Sequence, residues 1–316
     1  MGWFLGLDTS NYTTSIALYH SDTGEVKMRK KLLPVKDQSC GLRQSDAVFL
    51  HVKQLGNLAA DLMENEQISV DAIGVSQYPR NAEGSYMPCF LVGSMVAQTL
   101  GSFLKVPVFS FSHQQGHIAA ALYSAGCLDW LASKERSGTF YAFHVSGGTT
   151  EALEVTGRGH QMDIRLLTHT LDLNAGQAID RVGVMMGLSF PCGKQLEQLA
   201  LKNQEKVSVR RPKLKDGNCC LSGLENQCAA LLSQGKSKEY VAAFCLETVK
   251  RTVAEMTRYL LEQYGEKPVL YAGGVMSNSL IRAFLESRYQ GRFASPEYSA
   301  DNSAGIAVLA SMAYEE

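Results

Sequence analysis

Two separate stretches of this chain share one design, and that repetition constrains the fold more than any other feature. The first is residues 4–8, a tip at 9–14, and residues 15–19. The second is residues 141–145, the tip Ser146-Gly147-Gly148-Thr149-Thr150, and residues 151–155. Each is a β-forming run, a tip of small hydroxyl or glycine residues, and a second β-forming run, which is a hairpin pattern. Such a tip leaves backbone N–H groups and hydroxyls to face phosphate oxygens. Either stretch alone reads as an ordinary turn. Two of them, each opening one half of the chain, predict a duplicated α/β architecture with a nucleotide between the halves.

That is the plan of the actin, sugar-kinase and heat-shock ATPase fold, in two lobes. The expected division is 1–112 plus 299–316 for the first lobe and 113–298 for the second. Apolar spacing at Val48, Val52, Leu55, Leu58 and Leu62 predicts a helix over 45–63. Further helices are expected at 90–104, 174–186, 238–263, 278–289 and 303–314, with strands at 71–76 and 268–272. Residues 133–138 read as an exposed segment.

Composition narrows the class. The chain has 316 residues with 30 Lys plus Arg against 31 Asp plus Glu, so no global basic field draws it to nucleic acid. RNA contact would need a local patch. One basic stretch exists (Lys206, Arg210, Arg211, Lys213, Lys215), which reads by default as a solvated loop. No apolar run approaches the ~20 residues of a membrane helix. The start of the chain is expected to be a strand rather than a signal peptide. Eight cysteines lack paired zinc spacing and read as reduced thiols of a cytoplasmic protein, mostly in the core.

His113 and His117 follow a predicted buried strand. Residues four apart on a helix share a face, and two imidazoles there can reach one ion. A zinc-protease reading fails, because the residue after the first His must be a Glu base and here it is Gln114. Two ligands need a third from elsewhere.

With these motifs in hand, the chain resembles the TsaD family, also described as O-sialoglycoproteases, over nearly its whole length. The His pair is similar to H-x-E-G-H, with Gln115 for Glu. Val145-Ser146-Gly147-Gly148 is similar to V-S-G-G-H-T, with Thr149 for His. Residues 174–182 resemble A-G-E-A-F-D-K-V, and Phe190-Pro191-Cys192-Gly193 resembles Y-P-G-G. Gly273-Gly274-Val275-Met276-Ser277-Asn278 is similar to G-G-V-x-x-N, and residues 300–304 resemble T-D-N-G-A.

The resemblance implies an actin-type enzyme that transfers a threonylcarbamoyl group from threonylcarbamoyl-AMP to a tRNA adenosine near the anticodon. It implies one divalent metal, iron or zinc, on His113, His117 and Asp301. Asp301 could equally cap the last helix. It implies an adenine nucleotide (ATP, AMP or threonylcarbamoyl-AMP) with its phosphates along Val145, Ser146, Gly147 and Gly148. Asp180 would hold the ribose, Gly193 would allow close approach, and Asn278 would lie by the adenine. A surface acid, a loop glycine and a helix-start Asn are the plainer readings of those three. Implied partners are tRNA and a TsaB-like or other protein subunit, with no membrane.

The departures point to a divergent paralogue. The family's first tip, E-T-S-C-D-E-T, here reads Asp8-Thr9-Ser10-Asn11-Tyr12-Thr13-Thr14, without the two tip acids. Its F-S-G-L-K becomes Leu221-Ser222-Gly223-Leu224-Glu225, a reversed charge. Two alternatives therefore stand beside the transferase. One is a non-catalytic nucleotide-binding paralogue that partners a TsaD- or TsaB-like subunit. The other is an actin-fold carbamoyl or phosphoryl transferase for another substrate.

Overall fold

The structure is a computed structural model that describes residues 2–10, 12–34, 42–64, 66–131, 138–299 and 303–316. Most of the segment expected to be exposed at 133–138 lies outside the described residues, as do Asn11 and Asp301.

The chain divides into two compact units. The first comprises Met1–Gly138, Gly157–Met162 and Glu297–Glu316; the second comprises Thr139–Thr156 and Asp163–Pro296. The first unit is built on β1 (Trp3–Asp8), β2 (Thr13–His20), β3 (Val26–Leu32), β4 (Val70–Tyr78) and β5 (Val108–Ser112). Their order across the sheet is β3-β2-β1-β4-β5. The β1, β2 and β3 strands pair antiparallel, whereas β1–β4 and β4–β5 pair parallel.

Side chains alternate across these strands, as a pleated sheet requires. Leu5, Leu7, Ile73 and Val75 face one way, into a core with Leu55, Leu58 and Leu62 of α1 (Gln44–Met63) and Val92 and Ala97 of α2 (Phe90–Leu104). The other face carries Gly6 and Gly74, paired in register. A Cβ on Gly6 would lie 2.3 Å from the Ser303 carbonyl oxygen, and one on Gly74 would lie 2.6 Å from that of Ile306. The two glycines therefore form a shallow trough for the C-terminal helix, Ala304–Glu315. The same helix presses on α3 (His113–Ser124): a Cβ on Gly305 would sit 1.9 Å from the Gly116 carbonyl oxygen. The contact-defined unit thus runs past the expected boundary at residue 112 to include α3.

Val52 departs from expectation. The buried stripe of α1 is Ala47, His51, Gln54, Leu55, Leu58 and Leu62. His51 and Gln54 turn inward to hydrogen-bond Thr14, and this rotation leaves Phe49 and Val52 exposed.

The second unit repeats the sheet. Its strands are β6 (Gly138–Val145), β7 (Thr150–Arg158), β8 (Gln161–His169), β9 (Val269–Ala272) and β10 (Arg292–Phe293), ordered β10-β9-β6-β7-β8. Read from the other edge, this is the strand order of the first sheet. The β6–β9 and β9–β10 pairs are parallel, matching β1–β4 and β4–β5. The helices are α4 (Ala175–Met185), α5 (Gly193–Lys202), α6 (Gly223–Ser233), α7 (Lys238–Tyr264) and α8 (Ser279–Tyr289), which makes the C-terminal helix α9. Tyr141, Phe143, Tyr271, Leu196, Val249 and Leu260 lie in one core.

Candidate functional site

The first unit sets the His pair at the end of β5. Ser112 caps α3: its Oγ accepts from the Gln115 amide, and the Gln115 side chain accepts from the Ser112 amide. This capping box explains why Gln can replace the family's Glu at 115, since either side chain supplies the accepting oxygen. The imidazoles of His113 and His117 meet edge to face with ring centroids 4.2 Å apart.

Asp8, at the carboxyl end of β1, is buried and orients His113. Its Oδ2 lies 2.9 Å from His113 Nδ1, and its Oδ1 accepts from Ser76 Oγ and the Ser10 amide. An imidazole that gives its Nδ1 proton to a carboxylate carries its lone pair on Nε2, the tautomer a metal ligand needs. Ser10 Oγ and His51 Nε2 are among the buried polar atoms that lack a hydrogen-bond partner among the described residues. Also among those residues, no set of three His, Cys, Asp or Glu side chains is placed to hold a metal. Asp301, the expected third ligand, lies outside them. His113, His117 and the carboxylate behind them have the donor chemistry of an iron or zinc site.

The second unit gathers the expected nucleotide residues. The β6–β7 tip closes on itself: the Ser146 amide donates to the Thr149 carbonyl, and Ser146 Oγ accepts from the Gly148 and Thr149 amides. The Gly147 amide has no such partner among the described residues. The Gly176 amide donates to the Ser146 carbonyl, and a Cβ on Gly176 would lie 2.6 Å from Gly147 N. The start of α4 is therefore pressed against the tip. Gly273, at φ 102°, is pressed against Val145 in the same way, with 2.2 Å from its ideal Cβ to the Val145 carbonyl oxygen.

Asp180 lies one turn along α4, and its Oδ1 accepts from the Cys192 amide at 2.8 Å, which brings Gly193 alongside. Its other oxygen has no partner among the described residues. Asp180 lines a cleft of about 460 Å³ together with Arg181, Val184, Phe190 and Glu225. Glu225, where the family has Lys, faces Arg181 at 3.6 Å. Asn278 is buried and caps α8 by accepting from the Ile281 amide. Val145, Ser146, Gly147, Gly148, Asp180 and Gly193 thus form one contiguous region, joined through Gly273–Gly274 and one tight turn to Asn278.

Glycine identity divides these residues. Gly176 and Gly273 are crowded, so packing explains them. A Cβ on Gly147, Gly148, Gly193 or Gly274 would meet nothing within 4 Å, and none has a positive φ. Neither crowding nor a left-handed backbone requires glycine at these four, and the space beside each is open.

Three residues were missed by sequence reasoning. Asp8 carried a signal, an acid at the carboxyl end of a strand where α/β ligands gather. Asp172 carried none. Its carboxylate accepts from the Leu173, Leu221 and Ser222 amides and from Ser222 Oγ, fixing the segment that leads into α6. Burial pushes its pKa up, but those hydrogen bonds outweigh it and hold the group at about 2. The third is His51, whose partner Thr14 lies on another element.

Known proteins place the fold. The T. kodakarensis HypF structure superposes with a TM-score of 0.58 at 12% identity, covering 99% of this chain and 47% of that one. The (R)-2-hydroxyglutaryl-CoA dehydratase component A of Acidaminococcus fermentans gives 0.54 at 13% identity, covering both chains fully. The duplicated sheets put the chain in the actin-like class of two-unit α/β proteins. The family model described as "TsaD: tRNA N6-adenosine threonylcarbamoyltransferase" matches residues 37–308. A protein of that description from Nitrosospira multiformis is 30% identical, covering 98% of this chain and 91% of its own length. A "probable bifunctional tRNA threonylcarbamoyladenosine biosynthesis protein" from Methanothermobacter thermautotrophicus is 27% identical, covering 98% of this chain and 56% of that one. The chain belongs to the TsaD family.

A pH dependence follows from His51. Thr14 Oγ1 donates to Gln54 Oε1, so it accepts from His51 Nδ1–H. Burial pushes the imidazole down to about 4, against an opposing pull from the Asp8 charge. The folded state therefore resists a proton that the unfolded chain takes up near 6.5. Stability is full above about 6.5 and falls as the pH drops towards 4, by on the order of 2 kcal/mol at pH 5. Urea unfolding at pH 7 and 5 should show this loss, and His51→Leu should remove most of it. An equal loss in the variant would assign the effect elsewhere.

Proposed function

We propose that the chain transfers a threonylcarbamoyl group from threonylcarbamoyl-AMP to the exocyclic amine of a tRNA adenosine near the anticodon. The observation that carries this reading is the uncrowded glycine cradle beside Asp180. With one carboxylate oxygen fixed by the Cys192 amide, the other can accept from the vicinal ribose hydroxyls. Gly193 leaves room for the nucleotide, and the Gly147 amide is the donor available to a phosphate oxygen. Asn278 holds α8 in place where the adenine would lie.

In the transfer, the amine nitrogen bonds to the carbamoyl carbon and the carbon–oxygen bond to the phosphate breaks. The amine gives up a proton, and AMP leaves with the electron pair. A donor aimed at the phosphate stabilises charge as it develops there. His113 and His117, with Asp301 two residues before Ser303, would hold one iron or zinc, and Asp8 would orient His113. When bound, such an ion supplies Lewis-acid polarisation of the carbamoyl or phosphate oxygens.

Two features favour a second reading, a non-catalytic nucleotide-binding paralogue. The first tip lacks the family's two acids, and Glu225 neutralises Arg181 where the family has a cation. A protein partner suits both readings. Phe49 and Val52 of α1 and Leu91 and Met95 of α2 are exposed apolar residues at helical spacing, and a TsaB-like subunit could cover them. No helix among the described residues is long and apolar enough to cross a membrane. A cytoplasmic setting suits the free thiols, six of the seven described cysteines being buried.

Nucleoside analysis of unmodified tRNA incubated with threonylcarbamoyl-AMP and a TsaB-like subunit should show threonylcarbamoyladenosine only when this chain is added. Nucleotide binding without modified adenosine would favour the paralogue. Protein prepared without chelator should carry about one iron or zinc by elemental analysis, and His117→Ala should lose it. A metal-free wild type would overturn the metal assignment.

A further inference from the structure

The basic stretch flagged in the sequence is tied down on the second unit. Burial alternates from Arg211 to Lys215, and Arg210 before it is exposed as well. Val209 is buried and Val207, Pro212 and Leu214 are half-buried, while Arg210, Arg211, Lys213 and Lys215 are exposed. Val207, Val209 and Leu214 pack on the core of the unit. Arg251 Nη1 donates to the Val209 carbonyl, and Arg211 makes a two-pronged contact to Glu255, both bonds 3.0 Å. A tight turn then pairs Lys215 with Asn218 in both directions.

The exposed cations are thus held outward by apolar residues anchored beneath them. Arg211 is spent on Glu255. Among the described residues, no carboxylate pairs with Arg210, Lys213 or Lys215. Lys213 and Lys215 are spaced by the two-residue repeat of an extended chain, about 6.6 Å, of the order of the step between phosphates along an RNA strand.

Beside this ribbon lies a cleft of about 280 Å³ with Arg211, Arg251, Arg288, Phe284 and Tyr289 in its walls. Arg251 is engaged by Glu247, but among the described residues Arg288 has only the Tyr289 hydroxyl as a hydrogen-bond partner. Its guanidinium lies over the Tyr289 ring at 5.6 Å. Lys250 sits over the Phe284 ring at 4.8 Å. Glu205 and Glu286, also close in sequence, pair with Lys236 and Arg282, and the other acids nearby include Asp216, Glu247, Glu255 and Glu262. The last three are each paired with Lys250, Arg251, Arg211 or Arg258. Unpaired charge on this face is therefore mostly positive, although the whole chain carries −1.

We propose that this ribbon and cleft form an RNA-backbone docking surface, with Lys213 and Lys215 on successive phosphates, Arg210 on a further one and Arg288 receiving a phosphate or a stacked base. Rows of cations beside guanidinium and aromatic groups suit a single-stranded or loop RNA. The proposal rests on the reading that the acceptor is a tRNA.

The test is fluorescence anisotropy of a labelled tRNA anticodon stem-loop with the full chain across a salt series. The triple variant Arg210→Ala, Lys213→Ala, Lys215→Ala should bind at least tenfold more weakly near 0.1 M salt. Its slope of log affinity against log salt should be shallower by about 2. Exchanging the three for the opposite basic residue (Arg210→Lys, Lys213→Arg, Lys215→Arg) should keep binding, and AMP affinity should stay unchanged in both variants. Wild-type binding with an unchanged triple variant would overturn the surface and leave the acceptor reading intact. No RNA binding by wild type would overturn both. Displacement of the RNA by nucleotide-free poly-glutamate at equal charge concentration would mark the face as a site for acidic protein instead.

Discussion

The seat of α9 on bare backbone is the contact on which the first unit depends. Gly6 and Gly74 lie side by side in β1 and β4, and neither could carry a Cβ without striking the helix. Gly305 and Gly116 bring α9 equally close to α3. Close backbone approach of this kind admits no larger side chain without displacing an element, at a cost of roughly 1–3 kcal/mol or more. Because α3 is fixed by α9, and β1 lies beneath α9, His113 meets Asp8 across 105 residues of sequence. The Ser15 hydroxyl secures the start of α9 through Ser303. The His pair thus belongs to a rigid frame.

The second unit uses the same device for a different purpose. Gly176 and Gly273 press α4 and the end of β9 onto the β6–β7 tip. Around that crowded frame, Gly147, Gly148, Gly193 and Gly274 open outward. Crowded glycines build the scaffold, and the uncrowded ones border open space, where the proposed nucleotide would lie. Asp180 joins both roles, since it braces the Cys192 backbone and lines the adjoining cleft.

Much of this was legible because it is periodic or local. The two hairpins, the helices at 45–63, 174–186 and 238–263, and the strand before the His pair all follow from spacing and tip composition. The actin-like plan followed from the repetition. What escaped was non-local. Asp8 and Asp172 act on partners far along the chain, and no window of sequence contains both ends of either contact. Val52 fits an apolar stripe in a sequence count, but two inward polar residues, His51 and Gln54, rotate α1 and expose it. Gln115, which stands where the family motif has Glu, completes the cap of α3 with its own side-chain oxygen. The changes at the first tip have no such account, as Asn11 lies outside the described residues.

On the proposed reading, the second unit holds an adenine nucleotide in space that the fold leaves open. Calorimetric titration of AMP into wild type and Gly193→Val tests it most directly, with thermal unfolding measured on both. Wild type should bind, the variant should lose at least tenfold in affinity, and its melting temperature should be nearly unchanged, because a Cβ at this position meets no protein atom within 4 Å. Equal AMP affinity in the two proteins would contradict it.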